Sequence, residues 1–102
     1  MRLVFLGDIV GKPGRAAVRK KLPEIRRQYR ADLVVANGEN AAGGFGLNLD
    51  VTKELLDAGI DVITLGNQTW KNREIFQVLE REERVLRPAN YPPDTPGRGA
   101  GL

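Results

Sequence analysis

The chain has 102 residues, of which 41% are hydrophobic and 28% charged, with 16 basic against 13 acidic side chains and a formal net charge of +3. This balance fits one soluble globular domain and excludes fibrous and disordered classes, while a pI of about 9.6 is only a modest pull toward anions. The absence of cysteine and histidine excludes a disulfide framework, thiolate and imidazole metal sites, and a histidine acid or base.

The opening segment, MRLVFLGDIV, carries an apolar run too short for a signal peptide, and no stretch approaches the ~20 apolar residues of a membrane span. A cytoplasmic chain is the expectation. Within that segment RLVFLGD reads as a buried strand closing on Gly7 and Asp8. From Arg15 to Arg30 the apolar residues Val18, Leu22, Ile25 and Tyr29 recur at helical spacing, opposite a basic face. Pro23 stands inside that stripe, where a missing N–H should kink the helix or split it near Leu22.

The pattern repeats. DLVVANGEN is a second apolar run ending in polar residues, followed by the loop AAGGFGLN and a helix from about Asn48 to Ala58. Asn48 is suited to the N-cap and Gly59 to the C-terminal stop. DVITLGNQTW forms the third unit, with a helix near Asn72 to Arg81 that places Ile75, Val78 and Leu79 on one face, and RVLRP offers a short fourth strand. Strands apolar throughout, alternating with amphipathic helices, imply a mostly parallel α/β sheet of three to four strands, three-layered with helices covering both faces. Residues 1–87 form this unit. Residues 88–102 have no helical or strand period and read as a Pro/Gly-rich loop or tail.

In open parallel sheets, ligands bind beyond the carboxyl ends of the strands. Here those ends carry Asp8, then Asn37, Glu39 and Asn40, then Asn67 and Gln68. Carboxylates and amide carbonyls converging on one edge are hard donors, suited to Mg, Mn or Fe. Asp, Asn and Gly after a strand also form ordinary turns and caps, and spacing alone leaves both readings open. Other motifs are weaker. GDIVGKPG fails as a phosphate loop, because its glycines are one residue too close and Pro13 stands where a magnesium-binding hydroxyl is needed. GGFG at 43–46 reads as a flexible turn or a ligand clamp. RKKLPEIRRQYR reads as a solvated helix face, and Trp70 as a packing residue.

Taken together, FLGDIVGKPGR, VVANGENAAGGFG, VITLGNQTW and RPANYPPDTPGRG resemble the bacterial calcineurin-like metallophosphoesterases described as 2′,3′-cyclic-nucleotide 2′-phosphodiesterases. The likeness runs over nearly the whole chain and over the first part of a longer family domain, so the implied fold is half of a metallophosphoesterase. It implies a two-metal hydrolase, with Fe or Mn held by Asp8, Glu39, Asn40 and Asn67, and Glu39 in the bridging place. It also implies a general-acid histidine where this chain has Gln68, an aspartate where it has Lys71, and three further histidine ligands in sequence that these residues do not include. The resulting expectation is the N-terminal half of a phosphodiesterase acting on cyclic nucleotides or related phosphodiesters, inactive or impaired in this form. The alternative is an engineered or excised non-catalytic half-domain that pairs as a symmetric homodimer through an uncovered sheet face or edge. Nucleic acid is the least supported partner, since aromatic residues are few and not interleaved with Lys or Arg.

Overall fold

The structure, a computed structural model, describes residues 1–43 and 46–101. Gly44 and Phe45, the centre of the GGFG loop, lie outside the described residues. Strands β1 (Leu3–Leu6), β2 (Leu33–Asn37), β3 (Val62–Thr64) and β4 (Val85–Leu86) alternate with helices α1 (Gly11–Tyr29), α2 (Leu49–Asp57) and α3 (Ile75–Arg81), and a short 3₁₀ turn, Thr69–Lys71, precedes α3. The strands form one sheet in the order β1-β2-β3-β4, with every pair parallel.

Helix α1 starts at Gly11, earlier than the stripe from Val18 indicates, and runs without interruption past Pro23. Pro13 is tolerated because the first N–H groups of a helix have no acceptor within it. Pro23 removes only its own bond, while its neighbour Leu22, 1% exposed, anchors the helix in the core. The expected split near Leu22 does not occur: burial of that side chain outweighs one lost hydrogen bond. Helix α2 follows its sequence signals closely. Asn48 Oδ1 accepts the Val51 N–H at 2.8 Å, and Gly59 takes φ 115° just beyond the last turn. Helix α3 begins at Ile75, because Thr69–Lys71 forms a separate turn first.

Sequential strand order decides where the core sits. When every crossover has the same hand and each strand is added on the same side, all connecting helices fall on one face of the sheet. The core accordingly gathers Val34, Ala36, Ile63 and Val85 from the strands with Leu22, Val51, Leu55, Ile75 and Val78 from the helices. The in-register partners Leu3, Phe5, Leu33, Val35 and Val62 alternate to the opposite face. Leu3 and Phe5 are 56% and 58% exposed there. The parallel α/β sheet is as expected, but the third layer is not formed by the described residues. The cause is topological: the strand order never reverses, so no helix among the described residues crosses to the second face.

Residues 88–101 fold back on the sheet. The Arg87 N–H donates to the Arg98 carbonyl at 2.9 Å, and Arg98 bridges Leu86. The returning residues Arg98, Ala100 and Gly101 border a cavity of about 550 Å³ on the open face, floored by Leu33, Val35, Val62 and Leu86.

The balance of packing and capping in α2 is measurable. Leu55→Ala, at a site 1% exposed, should lower stability by about 2–5 kcal/mol, and Asn48→Ala by about 1 kcal/mol, read from urea unfolding midpoints. Equal losses from the two would mean that α2 is not held mainly by its buried face.

Candidate active site

The carboxyl ends of β1, β2 and β3 are brought to one rim by the register Leu6↔Ala36 and Ala36↔Ile63. Backbone bonds then stitch the exits together. The Ile9 N–H donates to Asn37 O at 3.1 Å, the Gly11 N–H to Asn40 O at 3.0 Å, and the Gly38 N–H to Thr64 O at 2.9 Å. The chain leaving each strand therefore has its direction fixed by its neighbour before any side chain is considered.

The side chains follow. Asn40 Nδ2 donates to Asp8 Oδ2 at 2.8 Å, joining the ends of β1 and β2. Glu39 accepts the Gln68 backbone N–H at 3.2 Å, joining β2 to β3. Asn37 holds Glu39 from both ends: its Oδ1 accepts the Glu39 N–H at 3.0 Å, and its Nδ2 donates to Glu39 Oε1 at 3.3 Å. Gly66 makes the space for that carboxylate, since a Cβ there would lie 2.6 Å from the Glu39 carboxyl carbon. Asn67 stands between Gly66 and Gln68, exposed at the same rim, and Asp8 is exposed as well.

Asp8, Glu39 and Asn40 are thus brought together with the Gly66–Gln68 turn. Asn67 shares the rim through its place in that turn, and its side chain donates to no group among the described residues. Gln68 contributes its backbone N–H, not its amide, to Glu39. The arrangement also uses residues that the sequence reading gave no separate role. Asn37 orients Glu39, and Gly66 admits it; the Gly-Asn pair after an apolar strand was the available signal for the second.

A divalent cation is suited in kind by these donors. The Asp8 and Glu39 carboxylates and the Asn40 and Asn67 carbonyls are all hard oxygens. In number the set is incomplete: among the described residues no group of three or more His, Cys, Asp and Glu side chains could hold a metal ion. The side chains gathered at the rim include no imidazole, the chain having no histidine.

With this geometry in view, comparison with known proteins is decisive. A family model described as YmdB-like protein matches residues 4–102. The chain belongs to the YmdB-like family. This YmdB-like chain is 43% identical over 99 residues to the 2′,3′-cyclic-nucleotide 2′-phosphodiesterase of Bacillus subtilis, across 97% of the chain and 38% of that protein. It is 38% identical over 94 residues to a putative phosphatase/phosphodiesterase of Mycoplasma genitalium, across 92% of the chain and 34% of the relative. A hypothetical protein from Thermus thermophilus superposes with a TM-score of 0.89 at 50% identity, over 97% of this chain and 38% of that one. A novel phosphatase from Mycoplasma pneumoniae gives 0.87 at 36% identity, over 95% and 36%. The chain therefore spans little more than a third of these relatives' length. No helix among the described residues is long and apolar enough to cross a membrane.

The Gly66–Glu39 fit is open to direct test. Gly66→Ala should cost about 1–3 kcal/mol of stability through overpacking, and the loss should shrink in a Glu39→Ala background, because the two sites share one space. Additive losses in the double-mutant cycle would show that Glu39 does not occupy that space.

Proposed function

We propose that this chain is the N-terminal part of a metal-dependent phosphodiesterase acting on cyclic nucleotides or related phosphodiesters. The observation that carries the reading is the tie between three strand ends: Asp8 to Asn40, and Glu39 to the Gln68 backbone. Asp8, Glu39, Asn40 and Asn67 would contribute oxygen ligands to divalent ions, iron or manganese. When bound, such ions supply Lewis acidity and neutralise the charge of a phosphodiester.

The chain's own residues have three tasks. Asn37 and the Gln68 N–H keep the Glu39 carboxylate in one orientation, so its oxygens are not free to turn away from the rim. Asn40 does the same for Asp8. Gln68, at the position of the family's general acid, can hydrogen-bond to a leaving oxygen but cannot give it a proton, so that contribution, typically ~10² to 10⁴ in rate, is lacking. As a polypeptide of these 102 residues, which include no histidine, it hydrolyses phosphodiesters slowly or not at all.

A second reading concerns assembly. The open face presents Leu3, Phe5, Leu33, Val35 and Val62 in register, and an apolar sheet surface of this kind is stabilised by covering it. In the 102-residue polypeptide a symmetric homodimer would do so. Phe5→Glu should then shift the dimer to monomer in light scattering, whereas a monomer already present at high concentration without the substitution would refute pairing.

Catalysis is best tested in a chimera, with these residues replacing the matching segment of the Bacillus subtilis phosphodiesterase. With Gln68 retained, the chimera should bind Fe or Mn yet turn over a 2′,3′-cyclic nucleotide about 10² to 10⁴-fold more slowly than with Gln68→His. Equal rates would remove the acid role from position 68. Failure of both forms to take up metal would overturn the phosphodiesterase reading.

A further inference from the structure

Just beyond Gln68 in the chain, Trp70 meets two further aromatic rings. Trp70 stacks on Phe76 with ring centroids 5.6 Å apart and planes inclined by 27°, and on Tyr91 at 5.9 Å and 30°. The rings arrive from three segments: the 3₁₀ turn, helix α3 and the returning Pro-rich stretch. With Pro92, Asp94, Thr95 and Pro96 they bound an open cleft of about 410 Å³. They are not part of the main core. Phe76 is 53% exposed and Trp70 37%, so apolar ring surface is left facing water.

Two rings stacked on Trp70 at a surface, bordered by prolines, offer aromatic area on which another flat ring could stack. The cleft also has polar groups on its border. The Asp94 carboxylate accepts hydrogen bonds and the Thr95 hydroxyl both donates and accepts, so an occupant with a planar apolar face and an N–H-bearing edge matches better than a plain hydrocarbon. A nucleobase with an exocyclic amino group has that combination.

Position relative to the rim supplies the second constraint. Gln68 is fixed to Glu39 through its backbone N–H, and Trp70 follows two residues later in the same turn. Two residues span at most about 7 Å between Cα atoms. Trp70 and the rim are therefore joined by one short stretch of chain, and a nucleotide, whose base and phosphate are held apart by a single ribose, is the ligand class that would address both.

We propose that the Trp70–Phe76–Tyr91 cleft is the subsite for the nucleobase of a nucleotide whose phosphodiester lies at the Asp8–Glu39–Asn67 rim. The proposal rests on the phosphodiesterase reading and narrows its substrate to base-bearing phosphodiesters, with adenine, cytosine or guanine favoured over uracil by Asp94.

Trp70 is the only tryptophan in the chain, so its fluorescence reports on this cleft directly. The protein is titrated with adenosine 2′,3′-cyclic phosphate, with adenosine and with ribose 5-phosphate. Saturable quenching by the first two and none by the third is expected. In Phe76→Ala, whose ring is half exposed and whose loss leaves the main core intact, both affinities should fall by roughly 5- to 150-fold with an unchanged far-UV circular dichroism spectrum. Asp94→Asn should narrow the preference for adenosine over uridine. Absence of saturable quenching by either base-bearing ligand, or quenching identical in Phe76→Ala, overturns the base subsite and leaves the phosphodiesterase reading to the chimera. Tight adenosine binding in a protein whose chimera takes up no metal would support the cleft while sinking the phosphodiester assignment.

Discussion

In-register parallel pairing of β1, β2 and β3 is the constraint on which the site depends. Parallel strands all end on the same edge, so a polar residue placed a few positions past each strand arrives at a shared rim without any long-range side-chain contact being needed. The exits are then locked by backbone bonds from Ile9 to the last residue of β2, from Gly11 to Asn40 after it, and from Gly38 to the end of β3. A one-residue slip would turn every strand side chain to the opposite face. It would expose Val34, Ala36 and Ile63 and separate Asp8 from Asn40. Core burial and site geometry are thus protected by the same register.

The carboxylate at the centre of the rim shows how little freedom remains. Glu39 occupies the space beside Gly66, receives the Gln68 N–H and is held by Asn37 at both its backbone and its head. An oriented carboxylate of this kind keeps its charge aimed at one place, which an unrestrained surface glutamate does not. What the rim lacks is equally specific. All its donors are oxygen, and the position where the family resemblance implies a titrating imidazole holds an amide. Glutamine can hydrogen-bond there but cannot titrate.

The open sheet face bears on the same question from the side of packing. Helices on one face only leave Leu3 and Phe5 more than half exposed, and the returning residues Arg98 to Gly101 border rather than cover the apolar surface beside them. The sequence covers little more than a third of its structural neighbours. An apolar face, an incomplete donor set and an aromatic cleft open to water all lie on a scaffold whose one helical layer is well packed.

Local signals were legible wherever the physics is local. Asn48 and Gly59 bounded α2 because a capping side chain and a left-handed stop act within a turn, and the apolar runs marked the strands because each turns one face toward the core. The oxygen-bearing residues Asp8, Glu39, Asn40 and Asn67 stood out because strand ends in a parallel sheet share an edge. The start of α1 and its passage through Pro23 were not legible, since the burial of Leu22 that overrides the proline is a tertiary contact. Apolar strands announced that both faces avoid water without saying what would cover them; strand order, set by how the crossovers pack, placed every helix on one side. The space at Gly66 for Glu39 and the meeting of Trp70, Phe76 and Tyr91 were decided only by the fold, because their partners are far apart in sequence and only packing brings them into contact.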